Sequence, residues 1–175
     1  GGFIIAGTTA SFGQGQEDAF LLKLTAGGNQ EWYKTYGNAT INYGNFVRQT
    51  SDGGYILAGD NPSTHTITLT KVHSDGSIEW GKEYNINGGL YSVDETSDGG
   101  FIVSAAVTIT GELYILKTDI NGNAGGCNTT NYNPVSFNYS PAKASNSTSV
   151  NIISLNTNVP AYVQNPRTVA STSVC

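Results

Sequence analysis

The chain has 175 residues, a formal net charge of −5 and only 12% charged residues, about half the share of an ordinary soluble domain. Gly (22), Thr (20), Asn (18) and Ser (16) dominate and Met is absent, which argues against long helices and for an all-β chain of Val, Ile, Thr and Tyr strands between Gly and Asn turns. No run of about 18 apolar residues offers a membrane span, and the sparse cations argue against nucleic acid as a partner. The opening Gly1-Gly2-Phe3, with neither an initiator Met nor an apolar leader, reads as a processed or incomplete product.

The first segment reads as four short strands, Phe3–Ala6, Ala19–Leu24, Glu31–Tyr36 and Asn45–Gln49, with turn residues between them. The pattern then recurs. GGFIIAG at Gly1 returns as SDGGYILAG at Ser51 and SDGGFIVSA at Ser97, while FLLKLTAGGNQEW at Phe20 returns as LTKVHSDGSIEW at Leu69 and ILKTDINGNAGG at Ile115. Lys23, Lys71 and Lys117 are 48 and 46 residues apart, and the four extra residues of the first copy fall in the loop TTASFGQGQED. Four antiparallel strands in such a period make one propeller blade. The expected organisation is a partial β-propeller over residues 1–125, about two and a half blades (1–50, 51–96, 97–125), followed by a β-rich tail over 126–175. The Gly-Gly pair before each first strand calls for positive φ in a tight turn. Trp32 and Trp80 each follow a turn glycine, Gly28 and Gly76, by four residues, a placement suited to covering the junction between adjacent blades.

The succession S-D-G-G-[YF]-I-x-A-G, L-x-K, a D/N-G-N/S turn, W-x-K-x-Y and a closing Q/E-T resembles the repeat of secreted bacterial and archaeal β-propeller proteins. It is also loosely similar to the tryptophan-docking repeat of quinoprotein propellers. The resemblance covers roughly residues 1–125 and bears on fold, since propellers host hydrolases, lectins and scaffolds alike. It implies an extracellular protein. A ring needs about four to eight blades, so other copies of the chain or missing upstream blades would supply the rest. In the third copy the position of Trp80 falls on Gly126 and the signature stops. The Ser/Thr/Asn-rich strap that follows, ending in Val-Cys at Cys175, is similar to the segment after the last blade in that family.

All 13 acidic residues lie at or before Asp119, and four of the five prolines lie beyond it, which places a boundary near residue 125. VSFNY, SVNIISLN, PAYVQ and TVASTSV in the tail read as short extended strands; a disordered, glycosylated stalk is the other reading of such composition. Cys127 and Cys175, the only cysteines, bracket the tail. A disulfide between them would close a loop of about 49 residues and add roughly 4 kcal/mol in the chain-entropy model, and it would imply an oxidising compartment. Two free thiols or a metal pair are the alternatives, though two cysteines without a nearby histidine make a poor zinc site. Sequons stand at Asn38, Asn128, Asn138 and Asn146; their number is what chance gives, and three of them cluster in the tail.

No phosphate-binding loop, nucleophile elbow, zinc-protease pair or haem-attachment motif is present. The repeated Lys23, Lys71 and Lys117 would form either a ring of ammonium groups around an anion or, more simply, an anchor in each blade bonded to carbonyls or to an acid such as Asp75 or Asp119. Asp119, Asn121 and Asn123 carry oxygens at alternate positions, as calcium loops do, yet a hairpin turn with a left-handed glycine explains all three copies. His65 and His73 have no counterparts in the other repeats, so they read as surface residues. The leading expectation is a non-enzymatic extracellular or cell-surface structural or adhesive protein, a self-assembling filament or lattice subunit or a fragment of a larger propeller, with no cofactor. The alternative is a carbohydrate-binding module using Tyr33, Tyr36, Tyr43, Tyr84 and Tyr91. A quinoprotein or hydrolase site would need residues the chain does not show.

Overall fold

The computed structural model describes residues 1–107, 112–125, 129–132 and 134–138, all within a unit spanning Gly1–Ser140. In chain order the strands are β1 (Gly2–Thr9), β2 (Asp18–Thr25), β3 (Gln30–Gly37), β4 (Phe46–Gln49), β5 (Tyr55–Asn61) and β6 (Thr66–Val72). They continue as β7 (Ile78–Tyr84), β8 (Gly88–Glu95), β9 (Phe101–Val107), β10 (Leu113–Lys117), β11 (Thr129–Asn131) and β12 (Val135–Asn138). No helix occurs among the described residues, and the all-β expectation is met. Three antiparallel sheets result: β1-β2-β3-β12 (sheet 1), β11-β7-β6-β5-β4 (sheet 2) and β10-β9-β8 (sheet 3).

The sheets begin at a different point of the repeat from the one the sequence suggests. Asn45–Gln49, expected as the fourth strand of the first unit, instead opens sheet 2: Gln49 lies opposite Tyr55 and Phe46 opposite Ala58. The cause is the Thr50–Gly54 turn, in which Gly53 N–H donates to Thr50 O at 2.9 Å. Two strands joined so tightly pair with each other, whereas residues 38–45 are long enough to cross to the next sheet. Sheet 3 likewise opens with β8, before its own S-D-G-G turn. The two glycines of each turn have separate reasons. Gly53 and Gly99 hold φ of 85° and 79°, a left-handed conformation. A Cβ on Gly54 or Gly100 would lie 2.4 Å from Val72 O or 2.1 Å from Thr118 O, so these positions are fixed by close approach.

Two apolar layers lie between the sheets. Ile4, Ala6, Ala19, Leu21, Trp32 and Tyr36 of sheet 1 meet Tyr55, Leu57 and Val72 of sheet 2. Ile56, Ala58, Ile67, Leu69 and Trp80 of sheet 2 meet Phe101, Val103, Ala105 and Leu116 of sheet 3. Sheet 2, covered on both faces, therefore reads I-L-A and I-T-L as nearly continuous buried runs, as a sandwiched sheet should. The chain threads closely between sheets: a Cβ on Gly59 would stand 1.7 Å from Tyr43 O.

After Asn123 the chain leaves sheet 3 and returns along the outer edges of the other two. β11 adds to β7, with Thr130 opposite Glu83, and β12 adds to β3, with Phe137 opposite Thr35. Tyr132 N–H donates to Gly81 O at 2.9 Å, and its buried hydroxyl donates to Asn42 Oδ1 at 2.7 Å. Of the expected tail strands, VSFN is β12; the segments from SVNIISLN onward, with Cys127, Cys175, Asn128 and Asn146, lie outside the described residues.

Candidate functional site

The most regular chemistry in the molecule is at the two junctions between sheets, where the W-x-K-x-Y strand of one sheet grips a turn of the next. Three turns share one backbone pattern: Gly28, Gly76 and Gly122 N–H donate to Thr25, His73 and Asp119 O at 3.0, 2.9 and 3.1 Å. All three glycines are left-handed, with φ of 79°, 77° and 73°. A side chain is disfavoured there, and the bare Cα leaves a flat surface. At the first junction, a Cβ on Gly76 would lie 3.0 Å from Lys34 Cδ, 3.0 Å from Tyr36 Oη and 3.1 Å from Trp32 Cζ3. Tyr36 Oη donates to Gly76 O at 2.8 Å, and Trp32 Nε1 donates to Ser74 O at 3.2 Å.

The second junction repeats the packing and the tyrosine bond of the first one sheet further on, but Trp80 Nε1, unlike Trp32 Nε1, is buried without a hydrogen-bond partner. Trp80 Cζ3 and Lys82 Cγ stand 2.7 and 2.9 Å from the position of a Cβ on Gly122. Tyr84 Oη donates to Gly122 O at 2.6 Å. Each tryptophan also meets the aromatic residue that follows the Gly-Gly pair edge-on, Trp32 with Tyr55 at 6.1 Å and Trp80 with Phe101 at 5.7 Å. Such pairs contribute about 0.5–1.5 kcal/mol beyond their buried area. Burial pushes both phenols above their usual range, with Asp75 beside Tyr36 and Asp119 beside Tyr84 adding to the shift. They therefore stay neutral donors. The lysines contribute their aliphatic stems to the contact while Asp75 and Asp119 sit near their heads.

The repeated lysines form a second element of the framework. Lys71 Nζ, almost wholly buried, is 2.7 Å from Asp52 Oδ2 and 3.3 Å from Glu79 Oε2. Lys117 Nζ lies 2.9 Å from both oxygens of Asp98 and 2.8 Å from Thr118 O. Lys23 Nζ donates to Leu24 O at 2.9 Å and pairs with Glu31 at 3.3 Å. The acids these lysines meet are thus Asp52 and Glu79 for Lys71, Asp98 for Lys117 and Glu31 for Lys23, and not Asp75 or Asp119. Hydrogen bonding from Lys71 and Thr50 holds the Asp52 carboxyl well below its ordinary range, and bonding from Thr96 and Lys117 does the same for Asp98.

The other expected positions are dispersed. Asp119 Oδ1 accepts from Asn121 N–H at 2.9 Å and Asn123 N–H at 2.7 Å, and its Oδ2 accepts from Asn123 Nδ2 at 2.9 Å, so of the proposed calcium oxygens the two of Asp119 are engaged within the turn. Among the described residues, no group of three or more His, Cys, Asp or Glu converges on one point. His73 is 3.9 Å from Glu79. His65, at φ 57°, lines an open cleft of about 250 Å³ with Asp60, Asn61, Thr66 and Asn87. Asn38 spends its side-chain oxygen on Thr40 and Asn42, and Asn138 is exposed on β12. Tyr36 and Tyr84 are buried and Tyr33 stacks on Phe20 at 5.3 Å; of the five proposed sugar-stacking tyrosines, Tyr91 is the most exposed.

One buried group was not signalled by the repeat. Asp18 is 1% exposed; its Oδ2 accepts from Gly15 N–H at 3.0 Å, while its Oδ1 has no partner. Desolvation raises its pKa against the opposing effect of the loop amides. The inserted loop of the first copy wraps this carboxylate, which a period search passes over because insertions fall outside the repeat.

In comparisons with known proteins, no family model and no curated sequence matches this chain. The repeat and its junction geometry therefore carry the functional reading.

Proposed function

We propose that the chain is a non-enzymatic structural or adhesive module of an extracellular or cell-surface protein, a partial β-propeller whose stack of sheets continues into sheets of the same kind. One observation carries this reading: the internal junctions are closed by a repeated clamp, while both terminal sheets leave the corresponding faces open. Phe3 and Ile5 of sheet 1 are 57% and 42% exposed, and Leu113 and Ile115 of sheet 3 are 68% and 59% exposed. Neighbouring apolar residues left in water at both ends suit a unit that is extended rather than one that acts alone. The repeated residues support the same view, because the repeated Trp, Lys, Tyr and Asp side chains serve packing between and within sheets.

The extracellular assignment rests on the composition and on the Cys127–Cys175 pair. It is tested by labelling intact cells with an antibody to the chain and by measuring mass before and after reduction. Labelling of intact cells and a mass gain on reduction are expected; labelling only after permeabilisation, together with free thiols, would overturn it. The structural assignment is tested by disrupting the clamps: loss of cooperative unfolding stability in Trp32→Ala and Trp80→Ala is expected, and unchanged stability would count against it. Burial of Tyr36 and Tyr84 removes two of the residues on which a carbohydrate-binding reading was based.

A further inference from the structure

We infer that the outer face of sheet 1 is a docking surface for one further sheet of this repeat, bringing its own W-x-K-x-Y strand onto the Thr25–Asn29 turn. The inference rests on the stacked-repeat reading and names the partner that the open end takes. Three features of sheet 1 are uncovered where sheets 2 and 3 are covered. Nothing lies within 4 Å of a Cβ placed on Gly28, whereas Gly76 and Gly122 are gripped by tryptophan, lysine and tyrosine. Phe3 is 57% exposed, whereas its counterparts Tyr55 and Phe101 are 3% and 1% exposed, each against a tryptophan. Among the described residues β1 has no strand on its outer edge, whereas β5 and β9 pair there with β4 and β8.

The face is apolar and continuous. β1 and β2 pair Phe3 with Leu24, Ile5 with Leu22 and Gly7 with Phe20, and residues opposite each other in antiparallel strands share a face. These are the positions that in sheet 2 lie against sheet 1, so the surface is continuous in kind with an interface the molecule already uses twice. The turn itself is ready. Gly28 has the same φ and the same N–H to Thr25 O bond as its clamped counterparts, which leaves Ala26 O and Gly28 O where Ser74 O and Gly76 O accept from Trp32 and Tyr36.

A second copy does not fit this description, because its two W-x-K-x-Y strands already grip its own turns. Sheet 3 cannot supply a third: its chain departs to β7 at the point where the strand would form. The occupant is therefore a repeat with an unengaged tryptophan and tyrosine. Its lysine would meet no carboxylate, since the turn reads Thr25-Ala26-Gly27-Gly28-Asn29.

The test adds such a repeat in register. Residues 46–98 end in Ser97-Asp98, the dipeptide that precedes Gly99-Gly100-Phe101, so a copy of 46–98 fused ahead of Gly1 reproduces the natural junction. Amide exchange over Gly2–Thr9 and Thr25–Asn29 is expected to slow by about tenfold or more, and the gain is expected to vanish when the added copy carries Trp80→Ala and Tyr84→Phe. Unchanged exchange would overturn the docking proposal. If Tyr36→Phe and Tyr84→Phe in the original chain also leave stability unchanged, the stacked-repeat reading fails as well; if they destabilise, only the docking proposal fails. Two measurements on the unfused chain stand independently of whether the fusion folds. Phe3→Ser and Ile5→Ser are expected to leave its unfolding midpoint in place, and a loss would show the face already covered. Gel filtration is expected to give a monomer, and a dimer with a protected β1 would assign the face to a second copy instead.

Discussion

Replacing Tyr84 by Phe keeps the ring in its layer and removes one hydroxyl, the group that donates to Gly122 O at 2.6 Å from a side chain only 1% exposed. The carbonyl oxygen of Gly122 is then left facing a hydrocarbon edge. Orphaning a buried acceptor costs about 1–3 kcal/mol, and in a unit of this size about 1 kcal/mol corresponds to a drop of roughly 3–4 °C in Tm. The expected effect of Tyr84→Phe is thus a loss of about 1.5–2 kcal/mol and of roughly 5–8 °C, measured by urea unfolding and by calorimetry. Tyr36→Phe, which orphans Gly76 O at the other junction, should cost about as much. The two losses should add to within about 0.5 kcal/mol because they share no partner. If both variants unfold within about 0.5 kcal/mol of the parent, the clamps are contacts without energetic weight and the reasoning from repeated geometry is refuted.

Gly122→Ala is expected to cost about 3 kcal/mol, since its Cβ would stand 2.7 Å from Trp80 in a left-handed backbone. Gly28→Ala, at the same φ but in open space, should cost only about 1–2 kcal/mol by the same unfolding assay. Asp18→Asn is expected to gain in stability relative to the parent at neutral pH, because a neutral amide replaces a carboxylate buried out of water. Its carboxyl pKa is raised on folding, so the parent recovers stability as pH falls and Asp18 takes up its proton. Stability curves that stay parallel with pH would contradict that assignment. Asp52 and Asp98 behave oppositely: their pKa values are lowered on folding, so their contribution is complete above the ordinary carboxylate range and is lost as pH falls through the lowered values. Asp52→Asn and Asp98→Asn should flatten the acid limb of the stability profile, and an unchanged limb would show that the lysine pairs carry no linkage.

Much of the fold was legible because turn chemistry and strand periodicity are local. The left-handed glycines at Gly28, Gly76 and Gly122, the alternation in β1 and β2, and the position of VSFN as a strand follow from a few neighbouring residues. What was not legible was pairing across a gap. By sequence the marker S-D-G-G opens a unit, yet in sheets 2 and 3 it is the hairpin joining the first two strands, so Asn45–Gln49 belongs one sheet later than the repeat suggests. The partners of β11 and β12 depend on which edges the rest of the fold leaves open, which no local pattern encodes. The junction tryptophans could be singled out from their spacing to the turn glycines. Their companions Lys34 and Tyr36, or Lys82 and Tyr84, could not be tied to a carbonyl of the next sheet until register and sheet order were known.

The return of the chain along β7 and β3 also sets a timetable. Phe137 lies opposite Thr35, so roughly 100 residues must be made after β3 before its outer edge is covered, or about 5–20 s at ordinary rates of synthesis. β3 presents unpaired backbone throughout that interval and β7 from the point at which it is made, the condition under which strands capture wrong partners. A nascent chain that pauses before Thr129 would hold both edges open at once. The few residues of β11 and β12 therefore matter to the order of events more than their length suggests, since among the described strands they are the last to arrive and they shut both seams together.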